Sequence, residues 1–296
     1  MRQVFVFLLA LMAMGHLRAA GQSVLHAERS SASDLEVGGE LKGLPTATTR
    51  YIRYGDLLRL PQESYTASDD GNLKGTAKIQ GVAMETLERL LGGAPAGTAD
   101  DLMVVAICSD QYRGNYSREY IAAHHPVLVL KIDGAEPEDW PAPENGGRLG
   151  PYMVSHPFFR PAFKVLSHAD EAQVPFAVTR IEFRRESQVF GAIRTPGDWA
   201  ADSAVAQGYA IARQDCFRCH NMGVEGGTMA GKSWIELGTM AAEDGKRFRQ
   251  TIRSPASVKA DAKMPAHAEY DDATLDALTA YFRTFAGGTA GTGRGR

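Results

Sequence analysis

The sequence predicts an α+β domain followed by an all-α domain, and three observations carry that expectation. Short apolar runs bounded by turn residues dominate residues 37–193, whereas residues 195–286 show helical periodicity. A short stretch with Pro196 and Gly197, around Thr195 to Trp199, separates the two.

Ahead of both domains stands Arg2, then an apolar run over residues 4–14, then the small residues Ala19, Ala20 and Gly21. That is the layout of a secretory signal peptide, so residues 1–21 are expected to be cleaved on export, with a periplasmic or otherwise exported product. The apolar run is too short to cross a bilayer, which takes about 20 residues, so no membrane span is expected after cleavage. Residues 22–36 read as a flexible polar leader. The Gly-, Thr- and Arg-rich end, residues 287–296, reads as a disordered tail.

Within the first domain, "LMVVAICS" from Leu102 and "PVLVLKIDG" from Pro126 are apolar strand candidates, the second closed by the turn pair Asp133-Gly134. "TRIEFR" from Thr179 alternates, with Ile181 and Phe183 on one face. Met84, Leu87, Leu90 and Leu91 form a helical stripe ended by Gly92-Gly93. Residues 136–151, rich in Pro and Gly, are too long for a tight turn and predict a surface loop.

A formal charge of −3 leaves no basic footprint, so nucleic acid is not an expected partner. The 3 cysteines make an odd count for an exported chain, where pairs are favoured. Cys108, at the end of an apolar run, reads as a buried inert thiol. His124-His125, His156 and His168 with Asp170-Glu171 could be metal ligands, but their spacing matches no zinc or facial-triad pattern, and each histidine reads as a surface or hydrogen-bonded one. Tyr112, Arg113, Asn115 and Tyr116 could line a loop site, and read first as a turn packed on the sheet.

The other two cysteines sit in Cys216-Phe217-Arg218-Cys219-His220, the c-type haem attachment pattern. Two thiols on neighbouring turns can each add to a vinyl group of the porphyrin, and the next side chain then aims its imidazole at the iron. A thioredoxin-like pair has no use for the histidine, and a zinc site would want further ligands at matching spacing. A sixth ligand is sought among Met222, Met229, Met240 and Met264. Met222 is too close to His220 to reach the far face, while Pro265 pushes Met264 out of helical geometry into a loop that can project a thioether onto a metal. His267 is the rival.

Around the pattern, Val205, Gly208, Tyr209 and Ala212 form one helix face, and Leu275, Leu278, Phe282 and Phe285 form another that starts near Asp272 and stops at Gly287-Gly288. Gly208 costs about 1 kcal/mol of helix propensity, which a close crossing of these helices against Leu278 or Tyr281 would repay. Lys232, Lys246, Arg247, Arg249, Lys259 and Lys263 read as a solvated face; if they ring the haem edge they would steer an acidic partner.

On Gly208, the CFRCH run, Met264-Pro265 and the aromatic last helix with Tyr281, residues 195–286 resemble the class I cytochrome c domains. The resemblance implies one covalent haem c, anchored by Cys216 and Cys219, ligated by His220 and Met264, and working in one-electron transfer. One departure is that residues 223–238 lack the Pro that often stands beside the proximal histidine in that family.

The first domain resembles the sulfite-oxidase-type molybdopterin fold in the succession "LLRLPQE" (57–63), "GVAMETLERLL" (81–91), "CSDQYRGNY" (108–116), "HPVLVLKIDGAEP" (125–137) and "GRLGPYMVSHP" (147–157). That family holds molybdenum through a cysteine shortly before the helix corresponding to residues 84–91. Here "GTAKIQG" (75–81) stands in that place, and Cys108 falls in a later strand, so molybdopterin is not expected. Three readings remain open: a degenerate domain that docks a partner, a domain binding another small molecule, or a molybdenum enzyme using Cys108. The leading expectation is a periplasmic electron carrier with a redox protein partner and no catalytic residues of its own. The alternatives are a haem-linked oxidoreductase and a haem-based sensor or ligand binder.

Overall fold

A strand covered on both faces reads as an unbroken apolar run, and all seven residues of β5 (Leu102–Cys108) are buried. The computed structural model describes residues 24–287 apart from 69, 94–98, 144–145 and 196. The expected signal peptide and residues 288–296 of the expected tail lie outside the described residues. Two compact units divide the chain: residues up to Ser109 with Gly114–Phe159 and Gln173–Arg185 form the first, and Asp110–Arg113, Arg160–Ala172 and everything from Glu186 onward form the second.

The first unit is a mixed α/β body with two sheets. One contains β1 (Leu35–Gly39), β2 (Arg50–Ile52), β5, β6 (Arg113–Ser117) and β11 (Val178–Arg185) in the order β2-β1-β11-β5-β6. β1 runs parallel to β11, with Val37 opposite Ile181, and β11 runs antiparallel to β5. The other sheet has the order β3-β4-β7-β8, from β3 (Glu63–Ser68), β4 (Thr76–Ala83), β7 (Val127–Ile132) and β8 (Met153–Ser155). Its core gathers Ile79, Val129, Met153 and Leu149 under Trp140.

The expected strands are β5, β7 and β11, and the Asp133-Gly134 turn follows β7 with both residues at positive φ. After α1 (Tyr54–Leu57), helix α2 (Met84–Leu91) buries Met84, Leu87, Leu90 and Leu91, the stripe read from the sequence. α3 (Arg118–His124) is capped by Ser117, whose side chain accepts from the Tyr120 amide. His124 stacks on Phe159 and His156 meets the Tyr120 hydroxyl at 3.0 Å, so both are held in aromatic or hydrogen-bonded settings. Cys108 is 2 % exposed, opposite Val178 in the sheet.

Two boundaries differ from the sequence expectation. The leader is folded from Val24 onward: Val24 is buried, His26 exchanges backbone hydrogen bonds with Tyr51 at 2.8 and 2.9 Å, and β1 begins at Leu35. Its polar residues satisfy each other, as Asp34 accepts from the Ser30 and Ser31 amides, and that local bonding is why a polar stretch holds a shape. The first domain, expected over 37–193, also gives up residues 110–113, 160–172 and 186–193 to the second unit.

That second unit is mainly helical. α4 (Glu186–Val189) leads to α5 (Ala204–Gln214), which Ser203 caps through the Ala206 amide. The hairpin of β12 (Asn221–Met222) and β13 (Glu225–Gly226) precedes α6 (Trp234–Glu243), which opens with a Ser233/Glu236 capping box. α7 (Gly245–Arg253), α8 (Pro255–Val258) and α9 (Asp272–Arg283) complete it, and Asp271 caps the last. A small hairpin of β9 (Lys164–Val165) and β10 (His168–Ala169) joins this unit from the middle of the chain.

α5 and α9 cross at Gly208. A Cβ there would overlap the Ala277 carbonyl oxygen and stand 2.6 Å from Tyr281 Cβ, so only glycine permits this approach. Tyr281 is the partner and is fully buried; its hydroxyl donates to the Ile193 carbonyl at 2.6 Å and accepts from the Trp234 indole at 3.2 Å. Trp234, Phe282 and Phe285 pack edge to face around it, and Phe217 meets Trp234 in the same way. Among the described residues no helix is long and apolar enough to cross a membrane.

Candidate functional site

α5 ends at Gln214, and the chain tightens into a 3₁₀ turn, Cys216–Arg218. The Cys216 carbonyl accepts from the Cys219 amide at 3.2 Å and the His220 amide at 2.9 Å, which winds the attachment pattern into one compact loop. The β12–β13 hairpin folds back beneath it, with the Gly227 amide donating to the Phe217 carbonyl at 3.0 Å. Phe217 itself is fully buried against Trp234 and Phe190, so it anchors the loop while its neighbours face the other way.

Those neighbours face a cavity of ≈ 1030 Å³, at the upper end of the range for small-molecule sites, roughly 300–1,000 Å³. Cys216, Cys219 and His220 line one side, and Phe248, Ile252, Val258 and Phe282 supply apolar wall. Both cysteines are free thiols; burial raises Cys216 and pushes Cys219 up to about 11, so at neutral pH both carry their protons.

His220 is oriented by the backbone. Its Nδ1 lies 2.6 Å from the Lys232 carbonyl oxygen, which can only accept, so Nδ1 carries the proton and Nε2 keeps a lone pair. Burial holds the imidazole below its ordinary value, which favours the neutral, ligating form. A carbonyl that fixes the second ring nitrogen is the usual companion of a metal-bound histidine. Here Lys232 does this in the stretch that lacks the expected proline.

Met264 and Pro265 line the same cavity from the loop between α8 and α9. Met229, Met240 and His267 line it too, whereas Met222, in β12, does not. The His267 ring stacks on Tyr270 at 4.7 Å, and its Nδ1 lies 3.4 Å from the Glu269 carboxylate. Met240 is carried on α6, where its reach is set by the helix.

The rim is mixed in sign. Lys232, Arg247, Lys259 and Lys263 alternate with Glu236, Glu243, Asp244 and Asp261, and Lys259 pairs with Asp261 at 3.6 Å. A uniform basic ring around the cavity is therefore not what the sequence's lysines and arginines build. Lys246 and Arg249 face a separate groove on the other side of α7.

Three lining residues were given no role in this cavity by the sequence, although Tyr112 was a candidate for a loop site. Tyr112 and Glu171 reach the cavity wall from the two segments that join this unit out of the first half of the chain. Arg218, inside the attachment pattern, is 8 % exposed and also lines the cavity. No periodicity or spacing marks Tyr112 and Glu171, because they lie about a hundred and about fifty residues before the motif. Arg113 joins the same region by an ion pair to Glu225 at 3.6 Å, while Asn115 and Tyr116 are buried in β6, so the cluster 112–116 is part site wall and part sheet.

Two free thiols, an imidazole with its Nε2 lone pair available, thioethers and apolar walls around one large cavity fit a covalently attached haem by donor set and by space. No curated protein matches the chain. Residues 203–282 match the family model for "Cytochrome C oxidase, cbb3-type, subunit III". The helical C-terminal part of the chain thus matches a cytochrome c domain, which suggests haem-based electron transfer.

Proposed function

We propose that the protein is an exported one-electron carrier. In this reading Cys216 and Cys219 would anchor a single haem c, His220 and Met264 would ligate its iron, and the first unit docks a redox protein partner. The observation that carries it is convergence: four residues singled out by chemistry, across 49 positions of sequence from Cys216 to Met264, line one cavity. When bound, the haem supplies a one-electron iron couple whose potential a methionine ligand raises.

The protein's own residues do the rest. The Lys232 carbonyl holds the His220 ring, Pro265 keeps Met264 out of helical geometry, and Phe248, Ile252 and Phe282 exclude water. Met264 is preferred to His267 because Pro265 holds it in an extended loop from which a thioether can reach a metal, and methionine is the ligand that the resemblance to class I cytochrome c domains implies. The signal-peptide layout of residues 1–21 supports export to the periplasm. For the first unit, the sulfite-oxidase-type resemblance comes without a usable thiolate: Cys108 is buried in mid-sheet, which supports a docking role over a molybdenum centre.

Elemental analysis with a reduced optical spectrum, on protein made with haem maturation, tests this. One iron and no molybdenum are expected; stoichiometric molybdenum would sink the carrier reading in favour of a haem-linked oxidoreductase. In a Met264→Ala variant the reduction equilibrium is expected to fall more than tenfold, which is more than about 59 mV. A His267→Ala variant is expected to keep the parent potential. The reverse pattern would transfer the ligand role to His267.

A further inference from the structure

We infer that Arg218, at a position the attachment pattern leaves unspecified, is the fixed buried positive charge that sets the reduction potential of this haem upward. The inference rests on the haem reading above. A guanidinium cannot shed its proton in a protein, and burying one is costly unless it is paired. Arg218 nonetheless sits between the two cysteines at 8 % exposure, on the wall of the cavity.

Its pairing is partial. Nε donates to the Gln214 carbonyl at 2.7 Å, and the Tyr112 side chain hydrogen-bonds the guanidinium. Neither partner carries a full charge to offset it. The half-buried Asp215, which also lines the cavity, pairs with it, its Oδ1 3.5 Å from Nη2, and among the described residues neither atom has a hydrogen-bond partner. The other oxygen of Asp215 is drawn elsewhere: Oδ2 accepts from the Tyr270 hydroxyl at 2.7 Å and lies 3.2 Å from His168 Nδ1. His168, 1 % exposed, also meets Gln214 through Nε2 and so holds that side of the network in place. Glu171 faces Arg218 from the cavity mouth but is exposed, where water and salt screen it.

The arrangement therefore leaves the Arg218 charge incompletely neutralised beside the haem attachment loop. Reduction adds an electron, so a nearby positive charge favours the reduced form. At an effective dielectric constant of about 20, a unit charge within about 10 Å of a redox centre changes the reduction equilibrium roughly tenfold.

Reduction potentials of the full-length holoprotein carrying Arg218→Met, Arg218→Lys and Asp215→Asn test this, with iron content and reduced spectra measured on each. Arg218→Met is expected to lower the reduction equilibrium about tenfold, a fall of about 59 mV. Arg218→Lys keeps the charge and is expected to stay within twofold of the parent. Asp215→Asn removes the opposing charge and is expected to raise the potential. A merely structural brace would loosen in all three, admit water and move all three potentials down together. An Arg218→Met potential equal to the parent's, or equal falls in the Met and Lys variants, would overturn the proposal. If Asp215→Asn does not accumulate as folded protein, the Met and Lys pair still decides. Haem content and spectrum report separately on the haem reading: apoprotein from the unsubstituted chain would sink that reading, whereas normal spectra with unchanged potentials would sink only the role of Arg218.

Discussion

A Cys216→Ala, Cys219→Ala double variant, produced with haem maturation, is expected to carry no haem that survives denaturation, while the parent protein keeps it on a denaturing gel. Both thiols are free and face the same cavity as His220, so each is available for one thioether bond. Each single variant is expected to retain one bond and hence a haem-staining band. The double variant is also expected to melt far below the parent. A dissociable ligand stabilises only with the logarithm of its concentration over Kd, whereas a bonded one is always present, and here it would fill ≈ 1030 Å³ partly bounded by apolar side chains. A covalent haem in the double variant would remove the attachment role from this pair.

Gly208→Ala is expected to lower stability by about 2 kcal/mol, although alanine is the better helix former by about 1 kcal/mol. The reason is the crossing of α5 and α9, where the added methyl would overlap the Ala277 carbonyl and press on Tyr281. Neither neighbour can move cheaply: one is helix backbone, and the other is fully buried and tied by its hydroxyl to Ile193 and Trp234. For a unit of this size the loss corresponds to a fall in Tm of roughly 10 °C. Gln207→Ala, one residue away on the half-buried side of α5, is expected to change stability by no more than about 0.5 kcal/mol. A thermal melt in which Gly208→Ala matches or exceeds the parent would show that the helices have room to separate. The same variant in apoprotein and holoprotein would further show whether the crossing matters before haem is attached.

Much of the second unit was legible because its chemistry is local. The spacing of Cys216, Cys219 and His220 carries its meaning within a single turn of chain, and Val205, Gly208 and Ala212 share a face by helical period alone. Gly208 could even be narrowed to two partners, Leu278 or Tyr281, since a glycine amid good helix formers needs a close neighbour, and the fold chose Tyr281. In the first unit β5, β7, β11 and α2 were legible for the same reason: burial on one or both faces writes itself as an apolar run or a stripe. The leader was misread because polar composition says nothing about whether Ser and Asp side chains will bond the backbone beside them, as Asp34 does.

Sequence alone thus specified the kind of chemistry expected at residues 216–220, the two helices α5 and α9 beside it and three strands of the first unit, β5, β7 and β11, since each depends on neighbours within about one or two turns of chain. Folding in three dimensions supplied everything that joins distant residues. It set the order β2-β1-β11-β5-β6, in which β1 lies beside a strand more than a hundred residues away. It brought Tyr112 and Glu171 to the cavity wall and His168 to Asp215, and it chose the Lys232 carbonyl to hold the His220 ring. Such contacts are selected by the free energy of the whole packed unit, which no local pattern encodes. The charge on Arg218 shows the division: its presence is a letter in the sequence, but its burial and its incomplete pairing exist only in the fold.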